Sequence, residues 1–324
     1  MNRAIAAIRR VFIPAIAVAV CLTATSCQRA GANQSTGAAS TTTHRTVTVA
    51  TKDGARTAIV VHPTTATGKP ALVVMLHGGF GSAKQAEQSY HWDDEAARNG
   101  FVVAYPNGDR ASWNVGGCCG SAQRNNVDDV GFLHTLVSQL EKTDGVDPSR
   151  VYAVGMSNGA MMTYTWACRD PGELAGIGPV AGSLLTDCPN PHPITVVAIH
   201  GTADENVPIN GGVGAKSRTH VENPSLAQTL APFIAADGCA RDPAERTAPP
   251  VEQTVWTCDD GVSVSTEVVE GAGHQWPGEV PPSRFGVNVL GIDPPSNAID
   301  ATDYLWQQLG KSTLRVTLTP SVGR

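Results

Sequence analysis

No basic patch is legible in the sequence. Its 23 Lys and Arg are outnumbered by 29 Asp and Glu, a formal charge of −6 over 324 residues, so no nucleic acid partner is expected. It lacks a C-x2-C pair and its histidines are scattered, which removes the usual ligand spacing of a zinc site. No metal and no cofactor is expected. There is no internal repeat, heptad run or second composition block, so solenoids, coiled coils and a two-domain division are set aside. The apolar run Val11 to Ala24 is too short and too soon interrupted for a spanning helix.

That run has a different reading. Arg3, Arg9 and Arg10 precede it, and the small residues Ala24-Thr25-Ser26 lead into Cys27. A basic start, an apolar middle and a small-residue end form an export signal, expected over residues 1–26. The end of that segment resembles a bacterial lipobox, which implies cleavage before Cys27, a lipid on its sulfur and a tether to the membrane outside the cytoplasm. Plain secretion with an incidental cysteine is the alternative. Residues 27–44 offer no periodic apolar positions and are expected to be a flexible linker. Losing the three signal arginines takes the formal charge from −6 to −9. Residues 45–311 suit one large α/β domain, and 312–324 form a tail with no assignment.

Besides Cys21 and Cys27 there are six cysteines, Cys118, Cys119, Cys168, Cys188, Cys239 and Cys258. An even number in an exported chain favours disulfides while leaving their pairing open. Cys239 and Cys258 share one local segment and are expected to pair. Cys118 and Cys119 are awkward to join to each other, which makes Cys168 and Cys188 their expected partners.

Residues 45–50 and 56–62 alternate apolar and polar around Asp53-Gly54, as a β-hairpin does. Ala71 to Leu76, Phe101 to Tyr105, Val151 to Val154, Ile194 to Ile199 and Val262 to Val269 are expected strands, the first a continuous apolar run of the kind covered on both faces. Helices are expected over 83–99, 126–141, 160–167, 223–236 and 297–309, with Asp128 and Asp129 capping the second. Alternating strands and helices predict a mainly parallel sheet with helices on both faces.

Gly155-Met156-Ser157-Asn158-Gly159 lies between an expected strand and an expected helix. This is the order of a nucleophile elbow, where a serine sits on a sharp turn and the flanking glycines let strand and helix pass closely. A serine hydroxyl needs a base to take its proton, and the base needs an acid to orient it. His274, in the glycine-rich loop after the strand ending at Val269, is the expected base. Asp204, in the loop after Ile199, is the expected acid, with Glu205 as rival. Ser157, Asp204 and His274 follow the chain order of α/β-hydrolases. His77 and His200, at strand ends, are expected to shape their loops. The developing oxyanion needs preformed donors, for which the backbone N–H groups of Asn158 and Gly79 are the candidates and Phe80 the reserve. Phe80, Trp113, Asn114 and Trp276 are candidates for lining a substrate pocket, with burial as the alternative for the tryptophans.

LHGGFGS, WNVGGCCG, NVDDVGF, VDPSRVYAVGMSNGAMM, HGTADENVP and GAGHQWPG, in that order, resemble the esterase family that joins polyhydroxybutyrate depolymerases with feruloyl and acetylxylan esterases, over about residues 45–310. The resemblance implies an α/β-hydrolase fold and ester hydrolysis through an acyl-enzyme, with the roles given above for Ser157, Asp204 and His274. Short-acyl, feruloyl-type, acetylated-sugar or hydroxyalkanoate esters, including those of cell-wall or plant polysaccharides, are the substrates it suggests. Gly79 stands where some depolymerase members carry a cysteine, which weakens an expectation of solid-polyester degradation. A peptidase on the same scaffold and a silent cell-surface binding protein are the rival readings.

Overall fold

A computed structural model describes residues 41–281 and 292–314. The expected signal segment, Cys27, the linker up to residue 40 and the tail from residue 315 lie outside the described residues. Strand β1 (Thr42–Thr51) already begins at Thr42, so the last three residues expected in the linker belong to the sheet.

β1 and β2 (Gly54–Pro63) form the expected hairpin, with Thr51 opposite Gly54. The remaining strands are β3 (Leu72–Leu76), β4 (Val102–Pro106), β5 (Val151–Met156), β6 (Gly176–Val180), β7 (Thr195–Gly201), β8 (Ala244–Ala248), β9 (Val251–Thr257) and β10 (Ser263–Val269). They join in one sheet of order β1-β2-β4-β3-β5-β6-β7-β10-β9-β8. From β4 to β10 the pairing is parallel, and an antiparallel hairpin closes each edge. Crossover helices cover a parallel sheet on both faces, which is why the central strands read as unbroken apolar runs.

The alternation within each strand divides the core in two. Leu72, Val74 and Leu76 of β3 face α4 (Asp129–Thr143), α5 (Asn158–Arg169) and α6 (Leu226–Ala236) through Phe132, Met162 and Phe233. Val73 and Met75 face α1 (Ala83–Ser89), α2 (Trp92–Asn99) and α7 (Ala301–Leu309) through Ala86, Trp92 and Leu305. A short helix α3 (Gly120–Arg124) precedes α4.

Several elements differ from expectation for local reasons. The stretch 83–99 is two helices, because His91 adopts a left-handed conformation (φ 59°). In one continuous helix Tyr90 and Trp92 would point to different sides. With the break, both are buried against Trp276, at ring separations of 4.9 and 6.5 Å. β6, sequence GIGPV, carries glycines where the opposing helix comes close: a Cβ on Gly178 would lie 2.9 Å from Leu305 of α7. β8 is exposed along its whole length and has no apolar face to announce it. α4 starts at Asp129, with Asp128 as its N-cap accepting from the Gly131 amide at 3.0 Å. Asp129 is not a cap but the buried partner of Arg56 at 2.6 Å.

The disulfides correct one expectation. Cys239–Cys258 forms as expected, but Cys168 pairs with Cys188, and Cys118 with Cys119. The Cys118–Cys119 peptide is cis, which brings the two Cα atoms to 3.1 Å, against about 3.8 Å for a trans link.

Candidate active site

The site is assembled at the carboxyl ends of the parallel strands. Ser157 follows β5, Asp204 follows β7, His274 follows β10 and Gly79 follows β3. Ligand sites of open α/β sheets collect at that edge, because the loops leaving neighbouring strands converge there.

Ser157 has φ 55° and ψ −119°, a conformation that costs a non-glycine residue about 1–3 kcal/mol. The surroundings enforce it. The Ser157 N–H donates to the Val180 carbonyl at 2.9 Å, and its own carbonyl starts α5 by accepting from Met161 at 2.9 Å. A Cβ on Gly155 would sit 2.5 Å from the Gly159 carbonyl, and one on Gly159 would run into the Leu76 carbonyl oxygen. The two elbow glycines are therefore required by close backbone approach.

Ser157 Oγ lies 2.8 Å from His274 Nε2, and His274 Nδ1 lies 2.8 Å from Asp204 Oδ2. The carboxylate fixes the imidazole tautomer: Nδ1 carries the proton and donates it to Asp204, leaving Nε2 to accept from the serine hydroxyl. Asp204 Oδ1 accepts from the amides of Asn206 and Val207, each at 2.9 Å. Burial alone would raise this carboxyl, but the hydrogen bond and charge of His274, with help from His200 and the Val207 amide, hold it below the ordinary carboxylate value. Glu205 is exposed and bound to Lys216 at 2.7 Å, so it takes no part. The Lys216 ammonium also reaches Asp293, whose carboxylate accepts from the His274 backbone N–H at 2.9 Å.

The two strand-end histidines are structural. His77 Nε2 accepts from the Gly108 amide at 3.0 Å while Nδ1 donates to the Gly78 carbonyl at 2.8 Å. Burial lowers its pKa to about 4, so it stays neutral. His200 Nε2 donates to the Val207 carbonyl at 2.8 Å, and burial lowers its pKa also.

Beneath the serine lies a buried network that the sequence did not disclose. The Asn158 side chain is bidentate to the backbone of Trp113, accepting from its N–H at 2.8 Å and donating to its carbonyl at 3.1 Å. The Trp113 indole N–H donates to the His77 carbonyl at 2.9 Å. Together these bonds fix the Gly78-Gly79 turn against the elbow. A Cβ on Gly79 would lie 3.8 Å from that of Asn158. The backbone N–H groups of Gly79 and Asn158 have no hydrogen-bond acceptor among the described residues. The reserve donor is ruled out, because the Phe80 N–H is committed to the Ala111 carbonyl at 2.8 Å.

Ser157 and His274 open into a cleft of about 780 Å³ that is also lined by Gly79, Phe80 and the Cys118–Cys119 pair. Of the expected pocket residues only Phe80 lines it. Trp113 is wholly buried in the network just described, and Asn114 is held inside by the Val127 carbonyl at 3.0 Å. Trp276 packs between Tyr90 and Trp92 with its indole N–H on Thr302 at 3.1 Å. Those three serve packing, not contact with a ligand. Arg110, Arg124 and Arg218 line the cleft and were not singled out by sequence, since they come from three separate segments. Groups of side chains with metal-binding spacing occur on the surface at His44, Glu87 and Asp93 and at His134, Asp170 and Glu173, and neither group includes a cleft residue.

A strained elbow serine, a buried strand-end carboxylate and a bridging histidine, on a mainly parallel sheet covered on both faces, define an α/β-hydrolase. Residues 56–219 match the family described as Esterase PHB depolymerase, and the chain belongs to that family and is an ester hydrolase. It is 32% identical over 292 residues to "Putative esterase NocK" of Nocardia uniformis subsp. tsuyamanensis, an alignment covering 82% of this chain and 83% of that protein. Feruloyl esterase B of Piromyces equi is 29% identical over 235 residues, 68% of this chain but only 42% of that relative's length. Among solved structures, the acetyl xylan esterase from Aspergillus awamori superposes with a TM-score of 0.58 at 16% identity, covering 82% of this chain and 99% of that one. At that identity the likeness is one of fold.

Proposed function

We propose that the protein hydrolyses carboxylic esters through an acyl-enzyme formed on Ser157. The observation that carries this reading is the unbroken relay of 2.8 Å contacts from Ser157 to His274 to Asp204. As Ser157 Oγ attacks the ester carbonyl, His274 Nε2 takes its proton and Asp204 stabilises the imidazolium. The carbonyl oxygen becomes an oxyanion and receives the N–H groups of Gly79 and Asn158. His274 returns the proton to the departing alkoxide, then activates a water that attacks the acyl-enzyme and releases the acid and free Ser157. The steps use these three side chains, the two backbone N–H groups and water.

The substrate classes that the relatives' names bring forward are feruloyl and acetylated-sugar esters, with hydroxyalkanoate esters added by the family description. Export with a lipid on Cys27 is part of the same reading, supported by the order of the first 27 residues and by three disulfides, which persist in oxidising compartments. The test is a hydrolysis panel of short-acyl, feruloyl, acetylated-xylan and hydroxybutyrate-oligomer esters with wild type and Ser157→Ala, alongside labelling by an organophosphonate. Hydrolysis that survives in Ser157→Ala, or the absence of stoichiometric label on the wild type, would refute the mechanism. Membrane partitioning that persists in Cys27→Ala would refute the tether.

A further inference from the structure

Among the described residues, those lining the cleft include three arginines and no aspartate or glutamate, in a chain whose formal charge is −6. Arg110 stands in the loop after β4, Arg124 ends α3 and Arg218 lies in the long connection between β7 and α6. All three are exposed. The arginine salt bridges among the described residues engage Arg45, Arg56 and Arg98 instead. Of the acids beside the cleft, Glu205 and Asp293 hold Lys216 and Asp109 accepts from Ser121 at 2.9 Å, while Glu222 stands exposed next to the lining residue Val221. Arg218 lies over the ring of Phe80, 5.7 Å from its centroid, and that ring is 79% exposed at the cleft. Three arginines that line one concave, partly apolar site, none in a salt bridge among the described residues, raise the local concentration of anions and offer planar, two-pronged donors matched to a carboxylate.

We propose that the cleft selects esters that also carry a carboxylate, with Arg110, Arg124 and Arg218 as the recognising groups and Phe80 as the apolar wall beside them. This rests on the esterase reading above and names the substrate class for the same site. The three arginines determine specificity and leave the bond-making steps to Ser157, Asp204 and His274.

The experiment compares matched ester pairs that differ in one carboxylate. On the acyl side, the 4-nitrophenyl monoester of adipic acid is set against 4-nitrophenyl hexanoate; on the alcohol side, 4-acetoxybenzoate against its methyl ester. The expected result is a kcat/KM ratio favouring the anionic member by about tenfold or more in at least one arm, and the arm that responds tells which side of the ester the carboxylate occupies. The ratio should fall towards one in the triple variant Arg110→Ala, Arg124→Ala, Arg218→Ala, and stay well above one in the triple Arg→Lys variant. In the wild type, which needs no substitution, it should shrink on adding about 0.5 M salt. Arg246→Ala, on exposed β8, should leave the ratio unchanged. Equal rates within both pairs, or a preference that survives in the triple alanine variant, overturns this inference while the esterase reading stands. Absence of Ser157-dependent hydrolysis of all four esters overturns both.

Discussion

The floor and the rim of the cleft are built on opposite principles. The floor, made of His77, Trp113, Asn158 and the elbow, is buried, and its polar groups meet one another at hydrogen-bond distance. The rim, made of Phe80, Arg110, Arg124 and Arg218, is exposed and nearly free of partners. Reacting groups need placement to within fractions of an ångström, and a buried network of paired donors and acceptors supplies it. Long exposed side chains can instead adapt to what arrives. The lesson is that damage to the floor should cost both folding and turnover, whereas damage to the rim should cost selectivity alone.

Four substitutions put that contrast under strain, in descending order of expected effect. Ser157→Ala should lower kcat/KM by about 10⁴-fold or more with an unchanged far-UV circular dichroism spectrum; a loss of less than tenfold would remove Ser157 from the chemistry. Asn158→Ala leaves the buried N–H and carbonyl of Trp113 unpaired. It should destabilise the fold by about 2–4 kcal/mol in urea titrations and lower kcat as Gly79 loses its support. Unchanged stability would mean that the floor network is ornamental.

Glu279 tests the loop behind His274 through pH. It is 8% exposed, and burial pushes its carboxyl up to about 8 from an ordinary 4.5. Below pH 4.5 both folded and unfolded chains keep the proton, and the group contributes no dependence. Between 4.5 and about 8 the unfolded chain is charged while the folded one is not, so stability falls as pH rises across that window. Glu279→Gln should therefore bring little change near pH 4.5 and a gain in stability that grows with pH until about 8 and is level above it. A gain independent of pH would sever it from that titration. The smallest effect is expected at the rim, where Phe80→Ala should alter stability by less than about 0.5 kcal/mol, measured by thermal melting. A larger loss would show that the rim is packed into the fold after all.

The same contrast explains what was legible in the sequence. The placement of Ser157, Asp204, His274 and Gly79 in the turns and loops that follow strands was readable because strand ends are marked by composition. Glu205 was a rival only until Lys216 claimed it, a contact 11 positions away that no spacing announces. Trp113, Asn114 and Trp276 looked like pocket residues because their side chains suit ligands, yet burial and hydrogen bonding turn them inward. β6 was invisible because its glycines answer to Leu305 and Leu309 on a helix more than 100 residues later. The three rim arginines were hidden for the same reason: only the folded chain brings them to one cleft.

Helix α5 is fastened twice to the stretch that leads out of β6. At its start the Ser157 amide holds the Val180 carbonyl, and at its end Cys168 is covalently joined to Cys188. Its residues from Asn158 to Ala167 are all buried. A helix usually exchanges its amide hydrogens by fraying from one end, but here neither end can lift away alone. In heavy water the amides of α5 should outlast those of the exposed β8 hairpin and exchange only when the whole domain opens, so their rate is a direct gauge of global unfolding. The segment that carries Ser157 should then be among the last to let go.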